Sequence, residues 1–175
     1  MLFYFKRTTE ADLSFYSECF QNREFQYMLY GDCPLNLRQL DNYIAWNNKD
    51  YKFVVSLEKQ GKKVAIGFAH FYHNKDNHYT YVGGLHPDLF NSGLGASASI
   101  AALSFFFDIN GLASIDTGVY KHNLRSLKLN LAIGFVITKE TDDMYMLLLN
   151  KESFNNNILV LNIRKRNSYQ LISTK

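Results

Sequence analysis

Residues 80–103 join two opposite kinds of chain. Thr80 to Leu85 is β-rich, and Ala96-Ser97-Ala98-Ser99-Ile100-Ala101-Ala102-Leu103 is helix-forming. Between them, Leu85-His86-Pro87-Asp88-Leu89-Phe90-Asn91-Ser92-Gly93-Leu94-Gly95-Ala96 carries a proline turn and two glycines. The order is strand, loop, helix start. Such a loop gathers backbone N–H groups at the positive end of a helix dipole, where glycines let an anion approach the main chain. It reads as a phosphate cradle, with a plain tight turn as the alternative. Two common nucleotide loops are excluded: no Gly-Lys-Ser/Thr occurs, and Ser97 and Ala98 stand where a dinucleotide fingerprint needs its third glycine.

The rest of the chain alternates similar runs. Leu2 to Thr8 reads as a strand, and Thr9-Glu10-Ala11-Asp12 caps a helix to about Phe20 with Leu13, Phe15, Tyr16, Cys19 and Phe20 on its apolar side. A second helix is expected after Pro34, from about Asn36, with Leu37, Leu40, Tyr43, Ile44 and Trp46 as a core stripe. Tyr51–Glu58 and Val64–His73 form a hairpin through Lys59-Gln60-Gly61-Lys62-Lys63, and His78–Leu85 follows the turn Asn74-Lys75-Asp76-Asn77. Then come a helix over Gly93–Asn110, a strand over Ala113–Val119, a helix over Asn123–Ile133, and strands over Phe135–Glu140 and Met144–Leu149. The order β-α-α-β-β-β-α-β-α-β-β predicts an α+β fold, helices packed on a mostly antiparallel sheet. Residues 150–175 give no clear pattern.

With 175 residues and 47% hydrophobic content, one domain spanning 1–175 is expected. A net charge of +3, with Arg164-Lys165-Arg166 the main basic cluster and no zinc-type spacing, argues against a nucleic-acid or metal partner. Cys19 and Cys33 make no Cys-x-x-Cys pair and suit a reducing compartment. The start of the chain is apolar before it is basic, the reverse of a signal peptide, and no run reaches the roughly 18 apolar residues of a membrane span. No membrane partner and a cytoplasmic location are the expectation.

Asn91-Ser92-Gly93-Leu94-Gly95 resembles the pyrophosphate-binding loop of the GNAT superfamily of N-acetyltransferases, whose signature is Gln/Arg-x-x-Gly-x-Gly/Ala. Phe90 replaces the first residue of that signature. His86-Pro87-Asp88-Leu89 is similar to the run that often precedes it. Downstream, Val119 to Phe135 resembles the family's second motif, Val-x-x-x-Asn-x-x-Ser/Ala ending in Gly-Phe, through Val119, Asn123, Ser126, Gly134 and Phe135. The resemblance implies a central sheet of about seven strands with helices on both faces, splayed between strands 4 and 5. Acetyl-CoA would be the acyl donor, held by Leu85, Phe90, Asn91, Ser92, Gly93, Leu94, Gly95, Ala96, Asn123 and Ser126. Gly83-Gly84 would mark a bulge or close approach whose backbone N–H groups polarise the acetyl carbonyl.

The resemblance further implies direct attack of a primary amine on the thioester, which needs a base or water relay for the amine and a donor for the leaving thiolate. The family's usual glutamate falls at Tyr79, with Tyr81 on the same strand face. His70 is the best-placed histidine to join them, whereas His73 and His78 read as hairpin or surface residues. The usual tyrosine acid falls at Asn130, which cannot protonate a thiolate. Ser126, three residues after Asn123, is the replacement, and Tyr120 is an outside candidate. Phe90 removes one side-chain contact to the pyrophosphate and leaves the backbone contacts in place.

Asn-x-x-Ser without the tyrosine resembles the branch that acetylates protein N-termini, aminoglycosides and amino-sugar nucleotides. The expected acceptor is an amino sugar or its nucleotide, with a protein N-terminus or a noncatalytic acyl-CoA-binding module as alternatives, in a monomer or homodimer. Tyr27-Met28-Leu29-Tyr30 reads as packing, with stacking on a sugar or base as the alternative.

Overall fold

The apolar runs pair into one eight-stranded sheet in the computed structural model, which describes residues 1–32, 40, 49–74 and 78–172. The strands are β1 (Leu2–Arg7), β2 (Tyr51–Lys59), β3 (Lys62–His73), β4 (Tyr79–Leu85), β5 (Ser114–Tyr120), β6 (Val136–Glu140), β7 (Met144–Asn150) and β8 (Ser168–Ile172). The six α-helices among the described residues are α1 (Leu13–Gln21), α2 (Arg23–Tyr30), α3 (Leu94–Asn110), α4 (Leu124–Ala132), α5 (Lys151–Asn156) and α6 (Ile158–Arg164). Across the sheet the strands run β6-β7-β5-β4-β3-β2-β1-β8. Only β4–β5 and β1–β8 are parallel.

Strand alternation divides the core in two. Phe53, Phe71 and Tyr81 face α3, where Ile100, Leu103 and Phe105 to Phe107 are buried, together with Phe154 and Val160 from the C-terminal helices. The Phe71 and Phe106 rings stack at 3.8 Å. Neighbouring residues on the same strands, Val54 and Phe68, face Tyr16, Cys19, Phe20 and Phe25 of α1 and α2. Each large aromatic taken out of water in this way contributes about 1.5–3 kcal/mol.

Local signals hold where side chains act on their own neighbours. Thr9 and Asp12 form the expected capping box, here over a short 3-10 turn that leads into α1. Gln60 and Gly61 both take positive φ (52° and 74°), the geometry that turns β2 into β3 through two residues. Cys19 is buried, and burial pushes its thiol pKa up to about 12.

Other expectations need correction. Residues 23–30 form α2: Asn22 leaves the helical conformation, accepts a hydrogen bond from the Phe25 amide and starts a new helix, which Gly31 ends at φ 61°. Residues 151–172 are α5, α6 and β8, so an eighth strand extends the expected seven. Gly83-Gly84 carries no bulge toward β3, because the register runs unbroken from Gly67↔Leu85 to His73↔Tyr79. The helix expected from Asn36 lies outside the described residues except for Leu40, which is helical and buried. Leu37, Tyr43, Ile44, Trp46, Cys33 and turn residues Lys75 to Asn77 lie outside them too.

Candidate active site

The two parallel strands at the centre of the sheet barely touch. β4 and β5 are in register at Thr80↔Asp116, where the Thr80 hydroxyl donates to the Asp116 carboxylate, and Thr117 Oγ1 donates to the Tyr81 carbonyl at 2.8 Å. Beyond that point they diverge. Backbone groups alternate sides along a strand. The Tyr81 carbonyl faces β5, and the His86 amide bonds back to Ile66 of β3 at 2.8 Å. Gly83 and Leu85 therefore turn their N–H and C=O groups into the gap. A cavity of about 620 Å³ fills this divergence and reaches α2 on one face and α3 on the other.

The glycines of β4 are fixed by close contacts. A Cβ on Gly83 would lie 2.2 Å from the Tyr81 hydroxyl, and one on Gly84 would meet Phe25 and Phe68 at 3.0–3.1 Å. Close approach, rather than a bulge, is what the glycine pair provides.

At the mouth, Asn91 (φ 64°) and Gly93 (φ 80°) turn the chain into α3, and Ser92 Oγ accepts from the Leu94 amide at 3.3 Å. The free amides of the first turn of a 17-residue helix thus open beside the gap. Phe90 stacks on Phe25 at 6.2 Å and carries the Arg125 guanidinium over its ring at 5.5 Å. Phe90, Gly95 and Arg125 all line the cavity. A cation therefore stands at the mouth although position 90 itself supplies none, and the sequence reading missed it. The signal was present in Arg125, one residue before Ser126.

The first turn of α4 forms the opposite wall. Asn123 caps it by accepting from the Ser126 amide at 3.0 Å, and its Nδ2 donates to the Met28 carbonyl at 2.9 Å, tying α4 to α2. Asn130, one turn on and buried, donates through Nδ2 to both the Ser126 carbonyl (2.9 Å) and Ser126 Oγ (3.1 Å). With an oxygen lone pair so occupied, the Ser126 O–H is left to donate elsewhere. Asn130 is thus the partner of Ser126 as well as a missing acid. His122 donates to the Tyr27 carbonyl at 2.9 Å and stacks between Tyr27 and Tyr120. That occupies the Tyr27 ring, whereas Met28, Leu29 and Tyr30 line the cavity.

The expected relay of His70 with Tyr79 and Tyr81 is not assembled. His70 pairs with Val82, and Tyr81 with Phe71, so the tyrosines lie on the α3 face and His70 on the α1 face. Tyr79 packs against Tyr51, His73 and Phe106. Burial raises the pKa of both tyrosines, which keeps them protonated, and only Tyr81 reaches the cavity, its hydroxyl 3.5 Å from Ser99 Oγ. His70 is fully buried between Tyr16 and Tyr72, and desolvation, helped by the Lys52 charge, holds its pKa well below the usual imidazole value.

The chain is similar in structure to a spermidine N-acetyltransferase from Vibrio cholerae, in complex with CoA and spermine (TM-score 0.74, 20% identity, 88% of this chain and 98% of that one). A domain from Methanocaldococcus jannaschii superposes nearly as well (TM-score 0.73, 15% identity, 85% and 97% covered). Mutant forms of the spermidine/spermine N-acetyltransferase from Vibrio cholerae also match (TM-score 0.69, 22% identity, 88% and 96% covered). No curated protein sequence matches the chain. Residues 3–136 match the family model of the acetyltransferase (GNAT) domain, a span that contains the diverging strands, the Gly93–Gly95 loop and the Asn123–Ser126 turn. The chain belongs to the GNAT family, the N-acetyltransferases that take their acetyl group from acetyl-CoA.

Proposed function

We propose that this acetyltransferase acetylates the primary amine of a small, hydroxyl-bearing molecule such as an amino sugar or amino-sugar nucleotide, by direct attack of the amine on the thioester. The observation that carries the reading is the composition of the gap. Among the described residues its lining holds no carboxylate, while the hydroxyls of Tyr30, Tyr72, Thr80 and Thr117 sit among aromatic and aliphatic walls. Neutral donors and acceptors next to aromatic faces suit a sugar ring. A polyamine brings several positive charges that a wall without carboxylates would leave unpaired.

The donor end fits acetyl-CoA. The α3 amides and Arg125 face the place a pyrophosphate would take, Gly83 and Leu85 offer backbone groups along the gap, and Ser126 stands ready to donate a hydrogen bond to the departing thiolate. Arg125→Ala is expected to weaken acetyl-CoA binding about threefold to tenfold in titration calorimetry, in keeping with the loss of one charge-assisted contact at an open mouth. An unchanged Kd would remove Arg125 from the donor site.

A second reading follows from the spermidine acetyltransferases of the same fold. Free-thiol release measured across amino sugars, their nucleotides, spermidine, spermine and short peptides separates the two. At least tenfold higher kcat/KM for an amino sugar than for spermidine is expected. A preference for spermidine overturns the amino-sugar reading, and acetyl-CoA binding without turnover of any amine indicates a binding module.

A further inference from the structure

The chain has four methionines, and the three that follow Met1 all line the gap: Met28 from α2, and Met144 and Met146 from β7. Strand pairing puts the β7 pair on one side of the sheet. Gly118 pairs with Met146 and Tyr120 with Met144, whereas the alternate positions, Ile115 and Val119 with Leu147 and Leu149, face α3. Gly118, Tyr120, Met144 and Met146 therefore share the α2 face, where Tyr120 also meets Gly31 at the end of α2, and they stand opposite the helix whose amides receive the donor. Gly118 makes this arrangement possible. Its φ is outside the positive range that calls for glycine, so close contact accounts for it: a Cβ there would come within 2.8 Å of Met144 Cε and 3.6 Å of Met146 Sδ. Two thioethers thus lie over one bare stretch of β5.

We infer that this thioether patch receives a methyl-bearing edge of the acceptor, which makes the substrate an amino sugar with a terminal methyl in place of the usual hydroxymethyl group. The two banks of the gap differ on this face. Tyr72 and Thr80, paired across β3 and β4, line one bank, while Gly118, Met144 and Met146 make the other apolar as far out as Tyr120. A substrate that spans them has one edge for hydrogen bonds and one edge without. A thioether donates no hydrogen bond and accepts only weakly, so a sugar hydroxyl pressed against it would give up water without replacement. A methyl group is buried there at a gain, against polarisable sulfur.

The spacing suits a single sugar ring. The gap closes at Asp116, towards which the acetyl group of a donor anchored at the α3 loop reaches, and Gly118 is two residues further along the same face of β5, about 6.6 Å away. An amine at the closed end thus leaves the far side of its own ring, and the methyl group on it, over Met144 and Met146. Methionine side chains are unbranched and adaptable, so the patch selects the chemistry of that edge more than its outline.

The inference rests on the amino-sugar reading, and the test separates their failures. kcat/KM is measured by free-thiol release from acetyl-CoA with two pairs of sugars, glucosamine with quinovosamine and galactosamine with fucosamine, each free and linked to uridine diphosphate. Within a pair only one thing changes: a terminal methyl replaces a hydroxymethyl group. The methyl sugar is expected to be preferred at least about tenfold, the scale on which an apolar pocket discriminates one small group. Met146→Gln and Met144→Gln keep the side-chain length and add hydrogen-bonding groups, and in either variant the preference shrinks to within about threefold. CoA binding by calorimetry reports that each variant is folded, and the unmodified chain decides alone if neither is. Equal rates within the pairs, or a preference for the hydroxymethyl sugars, overturn the inference and leave the amino-sugar reading standing. A methyl preference that survives both substitutions overturns the role of the methionines. Turnover of spermidine or peptides but of none of these sugars overturns the amino-sugar reading and the methyl edge with it, as does acetyl-CoA binding without turnover of any amine.

Discussion

Replacing Ser126 with alanine lowers kcat about tenfold to a thousandfold, roughly 1.4–4 kcal/mol in the barrier, and leaves the acetyl-CoA Kd within about threefold. The expected split follows from when the hydrogen bond matters. A thioester sulfur is a weak acceptor, whereas the thiolate that leaves it is charged, so a donor aimed at it acts mainly in the transition state. The local geometry gives Ser126 that aim: its amide is tied to Asn123 and its oxygen receives the Asn130 amide at 3.1 Å. Asn130→Leu keeps the hydroxyl but lets it rotate, and its kcat should fall only severalfold. Stopped-flow thiol release with saturating amine reads both. If Ser126→Ala leaves kcat unchanged, solvent protonates the thiolate and the Asn130 bond serves only the helix.

Gly95→Val weakens acetyl-CoA binding at least tenfold, about 1.4 kcal/mol, while the protein stays folded. The two halves of that statement have separate causes. A Cβ at position 95 meets only Leu85 and Leu129, at 3.8 and 3.9 Å, which is ordinary contact, and a valine in place of glycine costs a helix little. Yet Gly95 lines the cavity at the first turn of α3, so the branched side chain would project where the donor must pass. Gly93 is a poorer probe because its φ of 80° strains any other residue and mixes folding with binding. Titration calorimetry together with a thermal melt distinguishes the cases. Unchanged affinity in a folded Gly95→Val variant would place the donor elsewhere.

What could be read from the sequence was short-range. Gly93, Gly95, Asn123 and Ser126 act on backbone within a few residues of themselves, so their spacing carries their geometry, and the loop and α4 stand where expected. The face on which His70 points depends on pairing between strands, where a slip of one residue reverses every side chain. The sequence placed His70 near Tyr81; the register pairs it with Val82 and aims it at Tyr16 and Tyr72. The i, i+2 spacing of His70 and Tyr72 within one strand was the available clue. Helix α2 is only eight residues long and β8 is short and polar, with its partner β1 at the far end of the chain, so neither announces itself by periodicity. Arg125 was hidden because its function is defined by Phe90, 35 positions earlier, across the mouth.

The parting of β4 from β5 also bears on solubility and stability. Viewed as a solid body, the sheet is a five-strand plate and a three-strand plate meeting at an apex at Thr80 and Asp116. Each plate has an inner rim of unfinished hydrogen bonding, the kind of rim that on an outer edge invites other chains to add on. Here the rims face each other inside the fold, across a cavity lined by α2 and α3. A slender guest that completes the rungs at Gly83 and Leu85 bridges both plates and does the work of a ninth strand. Such a guest at a hundred times its Kd would add about 2.7 kcal/mol to the stability of the whole body.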